Sequence, residues 1–330
     1  MRYNPALDGM RALAILAVLA FHCQAPFAIG GYFGVDLFFV LSGYLITGLL
    51  AAEHDASGAI DLRRFYRNRF VRLMPLLALV VLVVYAAGMA PAYKAAVALL
   101  YMTDVVSTFD SPFGVLGHTW SLSVEEHFYL LWPLVLPAVL RARNPAALAF
   151  GLWVAAGLWR VSAYPAFPGE ATYYRFDARL SGLLLGSAVA LARFDIGPER
   201  LAGIGRLSLA MLGIALLTMP IFTPVSMLLA QPLVEIAAAG LLLAVLREGG
   251  RLHVALSYPW LVTIGRWSYG IYLWHYPVAA TLRELFDWPL TLALTAAISV
   301  PLAALTYRAV ELPFRRFRRE APRALPSPAL

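Results

Sequence analysis

His22 stands near the end of the first apolar run of the chain, LDGMRALAILAVLAFH, and Arg11 stands eleven positions before it. On one helix, at 1.5 Å per residue, the two lie about 16 Å apart along the axis. If that helix crosses a bilayer, the arginine is near one surface and the histidine well inside. An imidazole titrates near neutrality, which suits it to take a proton from a hydroxyl as that hydroxyl attacks an acyl carbon. A carboxylate beside it would hold its tautomer and stabilise the imidazolium. Glu125 and Glu126 offer such a carboxylate in the run WSLSVEEHFYLLW, toward the same end of the bilayer as His22. Arg179 and His275 also fall in or at the edge of apolar runs. Ionisable groups at membrane depth are costly and mark functional sites by default.

Composition identifies the elements that must carry these groups. Of 330 residues, 61% are hydrophobic and 14% charged, and the mean hydropathy is +0.72, whereas soluble domains hold roughly 25% charged residues. The chain reads as an all-α polytopic membrane protein. At about 20 apolar residues per crossing, ten helices are expected, near residues 9–25, 32–52, 73–90, 118–140, 146–164, 176–193, 205–221, 226–246, 265–286 and 290–311. The apolar stretch 95–106 is short and is expected to be interfacial or re-entrant. The first run is followed by no small-residue cleavage site and reads as a retained span. Residues 1–312 form the transmembrane domain in this reading, and 313–330 a basic, disordered cytoplasmic tail.

Lys and Arg sort strongly between the two sides. One set of alternate loops holds Arg63, Arg64, Arg67, Arg69 and Arg72, then Arg141, Arg143, Arg193, Arg200, Arg206, Arg247, Arg251 and Arg266, and the tail adds Arg315, Arg316, Arg318, Arg319 and Arg323. The opposite side holds Lys94, Arg175 and Arg283. The positive-inside rule then puts both termini in the cytoplasm. The net charge of +7 is therefore a topology signal, and with no recognition motif beside it no nucleic-acid partner is expected. The single Cys23 excludes an internal disulfide and a cysteine-ligated metal cluster. HExxH, P-loop and dinucleotide glycine patterns are missing, so no metal is expected.

In the long polar segment EHDASGAIDLRRFYRNRFVRLMP, Arg69 and Arg72 are i and i+3 neighbours if the segment is helical. Two adjacent guanidinium forks suit a phosphate or pyrophosphate. Setting topology and binding anionic lipid account for them equally well. Trp120, Trp132 and Trp267 are expected at membrane interfaces, with Trp120 also able to stack on a sugar. Arg179 needs a partner, with Glu235 or a donor phosphate as candidates. Arg160 is expected either in a buried ion pair or snorkelling, Glu311 beside a cytoplasmic arginine, and His54 and His253 in loops.

Seven segments then appear in one order along the chain: LDGMRALAILAVLAFH, GVDLFFVLSGYLIT, RNRFVRLMP, HTWSLSVEEHFYLLWP, FDARLSGLLLGSAVA, IGRWSYGIYLWHYPV and YRAVELPFRR. In these the chain resembles acyltransferase family 3, integral membrane O-acyltransferases that modify cell-surface carbohydrates and some secreted metabolites. The resemblance implies His22 as catalytic base and Arg11 as tied to the acyl donor, matching the family's arginine, ten residues, histidine signature. It implies that Arg69 and Arg72 bind the donor on the cytoplasmic side, that Ser42 and Gly43 match the serine-glycine of the second span, and that Glu125 is the motif glutamate with Glu126 second. His127 stands where glutamine is frequent. Ser181 departs from relatives that carry aspartate there, which puts a role for that carboxylate in doubt.

The expected activity is transfer of an acyl group, an acetyl group first among them, from cytosolic acyl-CoA to a hydroxyl of a carbohydrate, glycolipid or small hydroxylated acceptor. His22 is the base and Glu125 its support, and His275, Trp120 and Arg179 are candidates for the acceptor path. The setting is a bacterial cytoplasmic membrane with lipids as partners. The chain is expected to lack the extracytoplasmic hydrolase-type domain fused to some relatives, and to acylate its acceptor itself or hand the group to a separate partner. The rival reading is a transporter or flippase of a lipid-linked sugar, because buried His, Arg and Glu also build proton relays.

Overall fold

The computed structural model describes residues 3–111 and 113–317. Arg318, Arg319, Arg323 and the rest of the expected tail from 318 onward lie outside them. The described residues form sixteen α-helices and no strand: α1 (Pro5–His22), α2 (Gly34–Ser57), α3 (Leu62–Ala86), α4 (Ala92–Leu99), α5 (Thr103–Phe109), α6 (Trp120–Leu140), α7 (Pro145–Ala163), α8 (Glu170–Tyr174), α9 (Phe176–Arg179), α10 (Ser181–Leu191), α11 (Pro198–Thr218), α12 (Gln231–Leu246), α13 (Arg251–Leu256), α14 (Pro259–Leu282), α15 (Trp288–Thr306) and α16 (Leu312–Arg315). Single 3₁₀ turns precede α2 and α6, and π turns precede α12 and α16.

Seven helical stretches are long and apolar enough to cross a membrane: α1, Gly31–Ser57, α3, α7, α11, Val225–Leu246 and Trp288–Arg315. The other three expected spans fall on α6, on α9 with α10, and on α14. Trp, Tyr, His and Glu side chains lower the hydropathy of α6 and α14. With 11 residues, α10 is about 16 Å long, half the thickness of a bilayer core of about 30 Å.

Local chemistry sets the helix ends. Asn4 accepts a hydrogen bond from the Ala6 amide and Pro5 occupies the first turn, so α1 begins four residues before the expected span. It stops at His22 because Gln24 turns the chain with φ of 59°. Asp61 caps α3 through the Arg64 amide. The arginine-rich segment is therefore the start of α3 rather than a polar loop, and Pro75 sits inside the helix. His54 and His253 are likewise helical, on α2 and α13. The apolar stretch 95–106 divides between α4 and α5.

The centre of the bundle is α1, packed between α2 and α14 and in contact with α12. Against the other face of α2 lies α10, at the shortest helix separation the side chains permit. A Cβ added to Gly43 would meet the Leu183 carbonyl oxygen at 1.9 Å, and one added to Gly186 would meet that of Val40 at 2.0 Å. Small residues allow such backbone approach between membrane helices. These contacts fix α2 between the helix that carries His22 and the helix that follows Arg179.

Candidate functional site

Helices α1, α2, α3, α6 and α14 line a partly open cavity of about 890 Å³, with Tyr307, Glu311 and Arg315 along its side. Arg11 reaches it from α1, Arg69 and Arg72 from the N-terminal half of α3, Ser42 from α2, and Glu125 from α6. Five of the sequence-derived candidates thus share one space. Arg266 and Arg315 also line it, and four carboxylates, Asp8, Glu125, Glu248 and Glu311, face these five arginines. The cavity is therefore strongly polar without being uniformly basic.

Neighbouring side chains hold Arg11, Arg266 and Arg69 in place. Arg11 Nη1 lies 3.3 Å from Asp8 Oδ1, and the Tyr3 hydroxyl donates to Asp8 Oδ2 at 2.8 Å while accepting from Arg266 Nη2 at 2.9 Å. Burial pushes the Tyr3 phenol above its ordinary pKa, against the pull of Arg266, so it remains a donor. The Arg69 guanidinium lies 4.5 Å from the centre of the Tyr129 ring, a cation–π contact. Two tyrosines tie the arginine-bearing part of α3 to its neighbours. The Tyr66 hydroxyl donates to the Leu130 carbonyl at 2.8 Å and the Tyr269 hydroxyl to that of Leu73 at 2.6 Å.

Deeper in the cavity, Ser42 Oγ donates to Glu125 Oε1 at 2.6 Å. Glu126, the next residue, points about 100° away around the helix. It does not line the cavity, and its buried Oε1 has no hydrogen-bond partner among the described residues. Gly43 also faces away, onto α10.

His22 is outside the cavity and half-buried. Its Nδ1 lies 2.9 Å from His275 Nε2. Glu125, expected beside it, instead bonds Ser42 from α2. Tyr272 and Ser121 line the cavity, and the Tyr272 ring centroid is 5.5 Å from that of His275. Their hydroxyls are 2.6 Å apart, and the Tyr272 hydroxyl donates to the His118 carbonyl at 2.7 Å. Tyr272 and His275 are one turn apart on α14, about 4.5 Å along the axis. Tyr276 presents its ring edge to His22 at 4.6 Å between centroids, and the His118 ring is 5.0 Å from that of Tyr276.

Arg179 belongs to a third group. Fully buried, it pairs through Nη2 with Asp36 Oδ2 at 3.0 Å, not with Glu235 and not with anything in the cavity. Phe39, Trp120 and Tyr173 surround its guanidinium at 4.9 to 5.8 Å. Trp120 is thus 4% exposed and inside the bundle, away from the interface expected of it, because it packs on this cation. Trp132 is buried too, donating to Thr47 Oγ1. Arg160 is the buried ion-pair member: its Nη1 is 3.8 Å from Glu235 Oε1. Ser181 bridges that pair, accepting from Arg160 at 2.9 Å and donating to Glu235 at 2.6 Å. Glu235 of α12 thus places a carboxylate beside Ser181.

Sequence reasoning did not single out Asp36, although an acid in the apolar run GVDLFFVLSGYLIT was a visible signal. It also passed over Tyr272, Tyr129 and Ser121, whose types are common in membrane helices and carry no such signal. Among the described residues no cluster of three or more His, Cys, Asp or Glu is arranged to hold a metal ion.

A model of the acyltransferase domain matches residues 4–308. The chain is 34% identical to a peptidoglycan O-acetyltransferase of Listeria monocytogenes over 96% of its own length and 56% of the relative's. A Staphylococcus aureus protein bearing an O-acetyltransferase name is 30% identical, over 96% of this chain and 58% of its own. A Bacillus subtilis protein bearing a peptidoglycan O-acetyltransferase name is 32% identical, over 95% and 55%. The chain thus spans little more than half the length of these relatives. No solved structure matches it.

Proposed function

The chain belongs to acyltransferase family 3, the family of that acyltransferase domain, and on this premise we propose that it is a membrane O-acetyltransferase with a cytosolic acetyl-CoA donor and His22 as general base. In this reading the ten expected helices cross a bacterial cytoplasmic membrane, with both termini inside. The acceptor is a hydroxyl of an envelope carbohydrate, peptidoglycan first among them by similarity to the Listeria relative.

One observation carries the proposal. Arginines from α1 and α3 converge on a cavity whose deep wall is one turn of α14 from the His22–His275 pair. Arg11, Arg69 and Arg72 hold the phosphates of the donor by charge-assisted hydrogen bonds. The pantetheine arm extends past Ser42 and Glu125 toward Tyr272 and Ser121, which part to admit the thioester. The acceptor hydroxyl approaches the exposed side of His22 and attacks the thioester carbonyl carbon as its proton passes to the imidazole. The new C–O ester bond forms, the C–S bond breaks, and the thiolate leaves and takes up the proton. Glu125 and its Ser42 hydrogen bond position the arm. The mechanism gives no step to Glu126.

The test is thiol release from acetyl-CoA by the purified protein in detergent, with and without soluble peptidoglycan fragments. Release that fragments accelerate, and that His22→Ala abolishes while donor binding persists, is the expected result. Absence of both binding and release with acetyl-CoA and longer acyl-CoAs overturns the proposal and favours a transport role.

A further inference from the structure

His275 contacts three atoms through its two ring nitrogens, and two of them fix where its proton lies. Nδ1 is 2.7 Å from the Tyr272 carbonyl oxygen and 3.0 Å from that of Ile271. Carbonyl oxygens only accept, so Nδ1 carries the hydrogen. In the neutral ring Nε2 is then a bare lone pair, and its partner is His22 Nδ1 at 2.9 Å. That nitrogen must donate. His22 consequently bears its proton on Nδ1 and leaves Nε2 as the basic atom.

We propose that His275 is a positioning residue that sets the tautomer of His22, through the Ile271 and Tyr272 carbonyls, so that Nε2 of His22 receives the acceptor proton. The inference rests on the proposed role of His22 as base. In triad chemistry a carboxylate does this work; here two backbone carbonyls and a second imidazole do it, and the relay carries no negative charge. His275 is 0% exposed, so water does not compete for its nitrogens. The two rings, 5.1 Å apart between centroids and inclined by 37°, are held by α1 and α14, which pack along one another.

Two variants and one spectrum test it. His275→Phe keeps the ring volume and removes the acceptor, whereas His275→Gln presents a carbonyl oxygen near the place of Nε2. The expected result is a fall in kcat of about 10²-fold or more in His275→Phe, as for losing a correctly poised base, with the KM for acetyl-CoA within about twofold of wild type. His275→Gln should recover at least about tenfold of that loss. In ¹⁵N-histidine spectra of the wild type, the signal that vanishes in His22→Ala should be that of a ring protonated at Nδ1. Wild-type kcat in His275→Phe, no recovery in His275→Gln, or an Nε2-protonated His22 in the wild-type spectrum each overturns the assignment. If instead His22→Ala retains full kcat, the base role itself fails, and the two failures are distinguishable.

Discussion

Asp36 and Arg179 stand 143 positions apart in the chain and meet at 3.0 Å with neither side chain exposed. Bringing both into the bundle costs desolvation, and removing one alone leaves the other charge stranded, at about 3–5 kcal/mol. Asp36→Asn should therefore lower the unfolding temperature in detergent steeply. Asp36→Leu combined with Arg179→Met should be closer to wild type than either single change. If the double variant is the least stable of the three, the pair contributes more than mutual neutralisation.

The Ser42–Glu125 hydrogen bond predicts a coupling in activity. A hydrogen bond to a charged group contributes about 1.5–3 kcal/mol, so Ser42→Ala should reduce thiol release about tenfold. Because the two side chains share one interaction, Glu125→Gln and Ser42→Ala together should lose less than the product of the single losses. Independent, multiplicative losses in steady-state kinetics would separate the two roles.

Arg69 and Arg72 should act on donor binding. Lysine keeps the charge but loses the planar fork and its stacking on Tyr129. Arg69→Lys is expected to raise the dissociation constant of acetyl-CoA about tenfold, equivalent to about 1.4 kcal/mol, with little change in kcat. Titration calorimetry on the purified protein reads the first quantity; a drop confined to kcat would move Arg69 away from the donor phosphates.

Gly43 makes a contrasting prediction. A methyl group there meets the Leu183 carbonyl oxygen at 1.9 Å, so α2 and α10 must separate, at about 1–3 kcal/mol for overpacking. Gly43→Ala should lower thermal stability while the protein that remains folded binds acetyl-CoA with unchanged affinity. Weaker donor binding at full stability would sink the packing account.

Arg11, His22 and Glu125 stood out in the sequence because charge inside apolar runs is rare, and Arg69 through its spacing from Arg72. Arg11, Ser42, Arg69, Arg72 and Glu125 line one cavity, whereas His22 lies outside it. Pairings were not legible. For Arg179 the sequence suggested Glu235 or a donor phosphate, and the packing of α2 against α10 gives it Asp36 instead. The His22–His275 contact spans 253 positions, and nothing local to either residue specifies it. Helix starts were misplaced where a cap outweighed hydropathy, as at Asn4 and Asp61.

Tyr272 belongs to two tasks at once. Its hydroxyl closes the deep end of the cavity, and its carbonyl oxygen accepts from His275 Nδ1. A protein engineer who trims this side chain to admit a longer acyl chain will also disturb the turn that orients the imidazoles. In the proposed mechanism substrate range and proton transfer are therefore linked traits, and selection for the first should repeatedly exact losses in the second unless it acts on Val35, which lines the same space from another helix.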